Sequence, residues 1–287
     1  MLNQTFKSFE LIVVIDGPDP ATVEALKKEN DPRIKVIELP NIIGGAEARN
    51  AGAAKARGEW IAFLDDDDEW LDEKLELQLK AARASDFAYP VILCKLIART
   101  PRADYIWPRR LINQSEHISE YLFSRNSLFQ GEGLIQTSMI LTKTELLRLV
   151  PFEKKLRRHQ EWDWLLRINS KAGVNLTFVN KPLVVWYREE ERNSISNTNE
   201  WQYSFGYIKR KKHLSTPRAY ASFLLILVSS LASRERNWSA FFPILKEALI
   251  QGKPKFIDLL LFAGIWLIPQ KSRQMIRSMI FRGKLKK

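Results

Sequence analysis

The chain has 287 residues, 45% of them hydrophobic and 27% charged, with a net charge of +12. That is a globular composition with material for a sizeable core, and it excludes a disordered chain. A single cysteine, Cys94, three histidines and no CxxC spacing exclude an internal disulfide framework and argue against a zinc site. The positive excess asks for an anionic partner: nucleotide, nucleic acid or an acidic membrane surface.

Met1 to Phe6 lacks the basic start and apolar core of a secretory signal. Phe9 to Ile15 is a nearly continuous β-branched run, which predicts a parallel strand buried on both faces and ending at Asp16. Pro20 opens a helix over Ala21 to Glu29, Ile34 to Leu39 gives a second strand, and Ala46 to Ala56 is Ala-rich enough for a second helix. Glu59 to Leu64 is the third strand. Strand and helix alternating over short loops predict an α/β, doubly wound sheet whose ligands bind beyond the carboxyl ends of the strands. Asp16 and the run Asp65, Asp66, Asp67 and Asp68 then fall on one rim.

Four adjacent carboxylates repel one another, so their loop calls for a cation. Two readings of the run stand at this point: a divalent metal carrying a diphosphate, and the acid-rich start of the helix predicted over Asp72 to Ala84. Further along, Phe87 to Ala98 and Leu134 to Leu141 read as strands and Thr144 to Leu149 as a short helix, with a basic stretch at Arg99, Arg102, Arg109 and Arg110 between. Arg157 to Arg167 is a helix start carrying Glu161 and Asp163 among aromatics. Acids two apart point in different directions, so one faces a site while the other serves the helix start or a salt bridge.

Five segments in order now carry a resemblance: Leu2 to Phe6, Leu11 to Gly17, Gly44-Gly45-Ala46-Glu47-Ala48-Arg49-Asn50-Ala51-Gly52, Gly58 to Trp70, and His159 to Arg167. Together the run from Leu2 to about Arg188 resembles the family 2 glycosyltransferases and their GT-A nucleotide-sugar-binding fold, a doubly wound mixed sheet. The first segment looks like the end of that family's opening helix. The resemblance implies that Asp16 contacts the base, Asp65 or Asp66 the ribose, Arg49 the nucleotide sugar, and Asp67 a Mg²⁺ or Mn²⁺ ion, a hard cation suited to carboxylate and phosphate oxygens. Asp68 is left to cap the following helix. Glu161 aligns with the general base, which takes the proton of an acceptor hydroxyl in an inverting transfer; the family usually has Asp there. His159 and Arg158 are placed either to assist at the diphosphate or to form plain ion pairs. The family's first β-strand has no counterpart, and the expectation is either a start roughly 25 to 30 residues upstream, the length of a strand and a helix, or a product impaired in transfer.

Residues 1–190 are thus expected to form the catalytic domain and 191–287 a helical, basic region, for which two readings stand: association with a membrane, and a helical subdomain packing on the catalytic core. Residues 271 to 287 carry seven Lys or Arg and no acid, and Met275, Ile276, Met279 and Ile280 recur at helical spacing beside Arg273, Arg277 and Lys284. Ala219 to Ala232 and Phe256 to Pro269 are apolar but too short to span a bilayer, and read as buried or interfacial helices. The leading expectation is transfer of a sugar from a nucleotide diphosphate sugar to a glycan or lipid-linked acceptor in cell-surface polysaccharide synthesis, in the cytoplasm or on the inner face of the plasma membrane. The alternative is a non-catalytic nucleotide-sugar binding or assembly protein. Nucleic acid ranks last, because the basic residues lack the aromatic interleaving of single-strand binders.

Overall fold

The computed structural model describes residues 1–101, 103–128, 131–188 and 200–268, with Ser272. Arg102 and the expected amphipathic tail from Arg273 lie outside the described residues. The chain falls into two compact units: Met1–Pro108 with Ile135–Arg192, and Arg109–Leu134 with Asn193–Lys287.

The first unit opens with β1 (Leu11–Ile15), α1 (Pro20–Lys28), β2 (Ile34–Glu38), α2 (Gly45–Lys55), β3 (Trp60–Ala62), β4 (Asp68–Trp70), α3 (Lys74–Arg83), β5 (Tyr89–Arg99) and β6 (Asp104–Trp107). After α4 (Ile118–Phe123), which belongs to the second unit, come β7 (Leu141–Lys143), α5 (Thr144–Leu149), α6 (Gln160–Asn169) and β8 (Val174–Tyr187). The second unit ends with α7 (Trp201–Arg210), α8 (Pro217–Ser222), α9 (Ser229–Arg234), α10 (Phe241–Gln251) and α11 (Phe256–Leu267).

β1 and β2 pair in parallel as a sheet of two, while the larger sheet runs β3-β7-β5-β8-β4, with β6 on the far half of β5. The larger sheet is mixed: β5 and β8 are parallel, and β7 and β6 run antiparallel to β5. β5 is its centre, and Val91, Ile92, Leu93, Cys94, Leu96 and Ala98 are fully buried there. β1 differs from the expectation of burial on both faces. Only Ile15 is buried, because β1 pairs with β2 alone.

Local chemistry explains the helix starts. The Asp19 carboxylate accepts the Thr22 N–H at 3.1 Å and Pro20 occupies the first turn of α1, where its missing N–H costs nothing. α2 follows Gly44, whose φ of 98° suits glycine. Its small residues let it lie close on β1: a Cβ at Gly52 would stand 3.1 Å from Val14 Cγ2.

Three further expectations are corrected, and one strand is new. Leu2 to Phe6 is a turn and not the end of a helix; it is held by the Gln4 side chain, which bonds Leu71 O and Leu75 N, each at 2.9 Å. Leu134 to Leu141 is not a strand: a 3₁₀ turn at Thr137–Met139 interrupts it, and only Leu141–Lys143 pairs. Asp68 does not cap a helix, since it lies in β4 and Glu73 holds the cap position of α3. β8, the longest strand, was not anticipated at all; its register shifts against β5 between Cys94 and Leu96.

Candidate active site

Asp16 stands directly after β1. Its two carboxylate oxygens accept the backbone N–H groups of Ile43 at 2.7 Å and Gly44 at 2.8 Å, tying β1 to the loop that opens α2. One helical turn further, Arg49 donates through Nη2 to Asp65 Oδ1 at 2.6 Å and through Nη1 to Gln160 Oε1. A Cβ at Gly45 would stand 3.1 Å from Arg49 Nη1 and 3.2 Å from Gln160 Oε1, so glycine there leaves the guanidinium its room. Arg49 therefore joins the acid after β3 to the first residue of α6.

The four carboxylates have four different surroundings. Asp65 receives Arg49, and its own N–H donates to Ser138 Oγ at 3.0 Å. Asp66 is exposed and Asp67 half-buried. Asp68 accepts bonds at Oδ2 from Ser138 Oγ at 2.6 Å and from Gln136 Nε2, while its buried Oδ1 has no hydrogen-bond partner. Burial is the main reason Asp68 is pushed up to about 6; the charges of Asp65 and Asp67 push the same way, and the bonds from Gln136 and Ser138 oppose them. The 3₁₀ turn that broke the expected strand is what brings Gln136 and Ser138 to the carboxylates.

α6 resolves the pair of acids. Asp163 is fully buried and accepts Arg167 Nε at 2.7 Å, one turn along the same helix. Glu161 instead lies within electrostatic reach of Arg49 and Asp65. Burial raises its carboxyl above the ordinary glutamate range, the helix-start N–H and Arg49 oppose the rise, and Asp65 adds to it. His159 holds the helix start with φ 64° and ψ 26°, a left-handed conformation that costs a non-glycine residue about 1 kcal/mol. Its ring stacks on Trp162 with centroids 5.0 Å apart. Burial, with the Arg158 charge, brings His159 down to about 3.

Asp65, Arg49 and Glu161 are thus brought together, Asp66 and Asp67 lie on the same loop, and Asp16 orients the loop before α2. Sequence reading gave no role to Gln160, Ser138 or Gln136. Gln160 had a signal, its place beside Glu161 at a helix start. Ser138 and Gln136 had none, because a Ser and a Gln in an apolar run look like a strand's polar face.

The family model described as glycosyl transferase family 2 matches residues 1–148. The chain belongs to glycosyltransferase family 2. Within that family, the amylovoran biosynthesis glycosyltransferase AmsB of Erwinia amylovora is 27% identical over 227 residues, covering 76% of this chain and 73% of the relative. The UDP-Glc:alpha-D-GlcNAc-diphosphoundecaprenol beta-1,3-glucosyltransferase WfgD of Escherichia coli is 26% identical over 184 residues, covering 62% of this chain and 66% of the relative. Among solved structures, S. aureus TarS 1-349 aligns at a TM-score of 0.50 and 18% identity over 95% of this chain and 85% of that one. This family 2 glycosyltransferase has the GT-A fold, a mixed α/β arrangement followed by helices.

Proposed function

We propose that this glycosyltransferase transfers a hexose, with inversion, from a nucleotide diphosphate sugar to a hydroxyl of a glycan or lipid-linked acceptor in cell-surface polysaccharide synthesis. The observation that carries the reading is the convergence of Arg49, Asp65 and Glu161 from three separate elements. The amylovoran biosynthesis in the name of AmsB supports polysaccharide synthesis, and the UDP-Glc and GlcNAc-diphosphoundecaprenol in the name of WfgD support the donor and a lipid-linked acceptor.

In this reading residues 1–190 are catalytic. Asp16 serves the base, and Asp65 and Asp66 the ribose, with Arg49 steadying Asp65 against the nucleotide sugar. Glu161 accepts the proton of the acceptor hydroxyl, that oxygen bonds to the anomeric carbon from the face opposite the diphosphate, and the nucleoside diphosphate leaves with the electron pair. A carboxyl raised by burial is a stronger base in its ionised form than an ordinary one, which suits this role.

Among the described residues no group of three or more His, Cys, Asp or Glu is arranged to hold a metal. Mg²⁺ and Mn²⁺ ordinarily take only one or two carboxylates beside substrate phosphates. The donor set fits that pattern: Asp67 is a hard oxygen ligand, and the unpartnered Oδ1 of the adjacent Asp68 is an acceptor awaiting a positive charge. Asp67, with Asp68 beside it, would hold the ion. When bound, it neutralises charge on the departing diphosphate.

Residues 191–287 are assigned to an anionic membrane surface on the cytoplasmic side. No helix among the described residues is long and apolar enough to cross a membrane. The test of the catalytic reading is hydrolysis of UDP-glucose with Mg²⁺ or Mn²⁺ against EDTA. We expect turnover that Asp67→Asn abolishes; undiminished turnover in that variant overturns the assignment.

A further inference from the structure

The second unit exposes apolar side chains on one side of its last two helices. On α11 the exposed residues are Phe256, Leu260 and Leu267, at 80%, 45% and 74%. Their spacing of four and seven residues places them on one stripe. The opposite stripe of α11, with Asp258, Phe262, Ile265 and Trp266, is buried. A helix apolar all round needs cover on both sides, and α11 has it on one. α10 repeats the arrangement: Ile244 and Ala248 are buried, while Phe242 is 75% exposed and Leu249 51%. The helices meet through the Phe241 ring, 4.7 Å from Phe262 and 5.4 Å from Trp266 on the inward side of α11, so the two exposed stripes lie on neighbouring helices. Trp238, 54% exposed and 5.2 Å from the Trp266 ring, stands beside the same cluster.

The charges of this segment decide what covers the surface. Arg234, Arg236, Lys246, Lys253 and Lys255 are exposed, while Glu235 is the one exposed acid between residues 234 and 268. The other acids are engaged inward: Glu247 accepts the Tyr220 hydroxyl at 2.6 Å, and Asp258 that of Ser222 at 2.8 Å. A second copy of the chain would bring two basic rims against each other. An anionic bilayer meets both requirements, taking apolar side chains below its headgroups and cations among them, with tryptophan at the boundary.

We propose that the outward face of α10 and α11 is a docking surface for an anionic lipid bilayer, with Phe256, Leu267 and Phe242 entering the headgroup–acyl boundary. This deepens the membrane reading given above, moving the apolar contact from the chain's end to a built surface on two helices.

The test is flotation of the full chain with phosphatidylglycerol–phosphatidylcholine vesicles and with phosphatidylcholine vesicles. The wild type is expected to float with the first, less so as salt rises, and weakly with the second. Phe256→Glu with Leu267→Glu should lower flotation at least tenfold, and Phe242→Glu on the neighbouring helix should lower it in the same direction. Exchange of the apolar pair, Phe256→Leu with Leu267→Phe, should preserve it. Circular dichroism melts identify any variant that loses its fold. Wild-type flotation that the Glu substitutions leave unchanged overturns this surface while leaving the membrane reading standing; absence of flotation in the wild type removes both. A wild-type oligomer that the Glu variants convert to monomer, with flotation unchanged, assigns the face to a second copy instead. None of these readouts requires turnover, so failure of the catalytic proposal is seen separately.

Discussion

Both units bury polar groups, Asp258 in the second among them, and both expose some apolar ones, but the emphasis differs. In the first, polar groups are buried: Lys74, Gln78 and Asp163 lie fully inside, each with a partner. In the second, large apolar groups are exposed, Phe256, Phe242 and Leu267 above all. Exposed single hydrophobics are common on any protein, but buried charge and contiguous exposed aromatics are not. The difference teaches where each unit is constrained. The first organises polar groups against one another, and the second keeps an apolar face for something outside itself.

The comparison sharpens most at Glu161. Glu161→Gln should lower kcat by about 10²- to 10⁴-fold, the span of a positioned general base, with nucleotide-sugar affinity retained. The wild-type pH–rate profile should carry an acid limb above the ordinary glutamate value, since burial raises this carboxyl and only its ionised form accepts a proton; the variant should lack that limb. A variant of unchanged rate would reduce Glu161 to a part of the helix start.

Arg167→Met tests whether burial in the first unit depends on pairing. It removes the cation 2.7 Å from a fully buried carboxylate, and chemical denaturation should show a loss of about 3 kcal/mol. A loss below about 0.5 kcal/mol, the usual range for surface changes, would show that Asp163 does not depend on it.

Lys74 gives a smaller and pH-dependent effect. Its ammonium donates to Gln78 Oε1 at 2.7 Å and lies 4.0 Å from the Trp70 ring centroid, yet burial brings it down to about 8 from an ordinary 10.5. Between those values the unfolded chain binds more protons than the folded one, so this group makes stability rise with pH across the window. Lys74→Met lacks that rise. Its stability relative to wild type should fall by about 2 kcal/mol from pH 8 to pH 10.5 in urea denaturation, while the unpaired Gln78 oxygen shifts both ends equally. A pH-independent difference would break the argument.

The smallest expected effect belongs to the second unit. Phe256→Glu with Leu267→Glu should change denaturation stability by no more than about 0.5 kcal/mol, as for surface positions generally. A loss of several kcal/mol would show that α11 is held by the stripe described here as free of the core.

Elements that depend on short-range pattern were legible in the sequence. β1, α1, β2 and α2 lie within two residues of their expected bounds, because Pro20, Gly44 and a β-branched run act locally. The family followed from ordered motifs of the same kind. What was not legible depends on partners far along the chain. Asp68 was given to a helix because acids favour helix starts; its actual partners, Ser138 and Gln136, lie 70 and 68 residues away. The strand expected over Leu134 to Leu141 failed for the same reason, since its polar side chains answer to a distant carboxylate. β8 carried a local signal, since Val174, Leu176 and Phe178 alternate with Asn175 and Thr177; Lys181 and Pro182 then break the pattern near the register shift and divide the strand into two short pieces.

The bond from Arg49 to Gln160 spans 111 residues, and beside it the Asn50 side chain both donates to Phe152 O and accepts its N–H, across 102. Contacts of such separation require long loops to close before they stabilise anything. As the chain leaves the ribosome, β1 and β2 can pair early, but the Arg49 guanidinium cannot make its hydrogen bond to Gln160 until α6 has emerged. The hydrogen-bonded link from Asp65 through Arg49 to Gln160 therefore closes only after α6 is made. A nascent chain ending anywhere before α6 carries the acid-rich loop without Gln160 and Glu161.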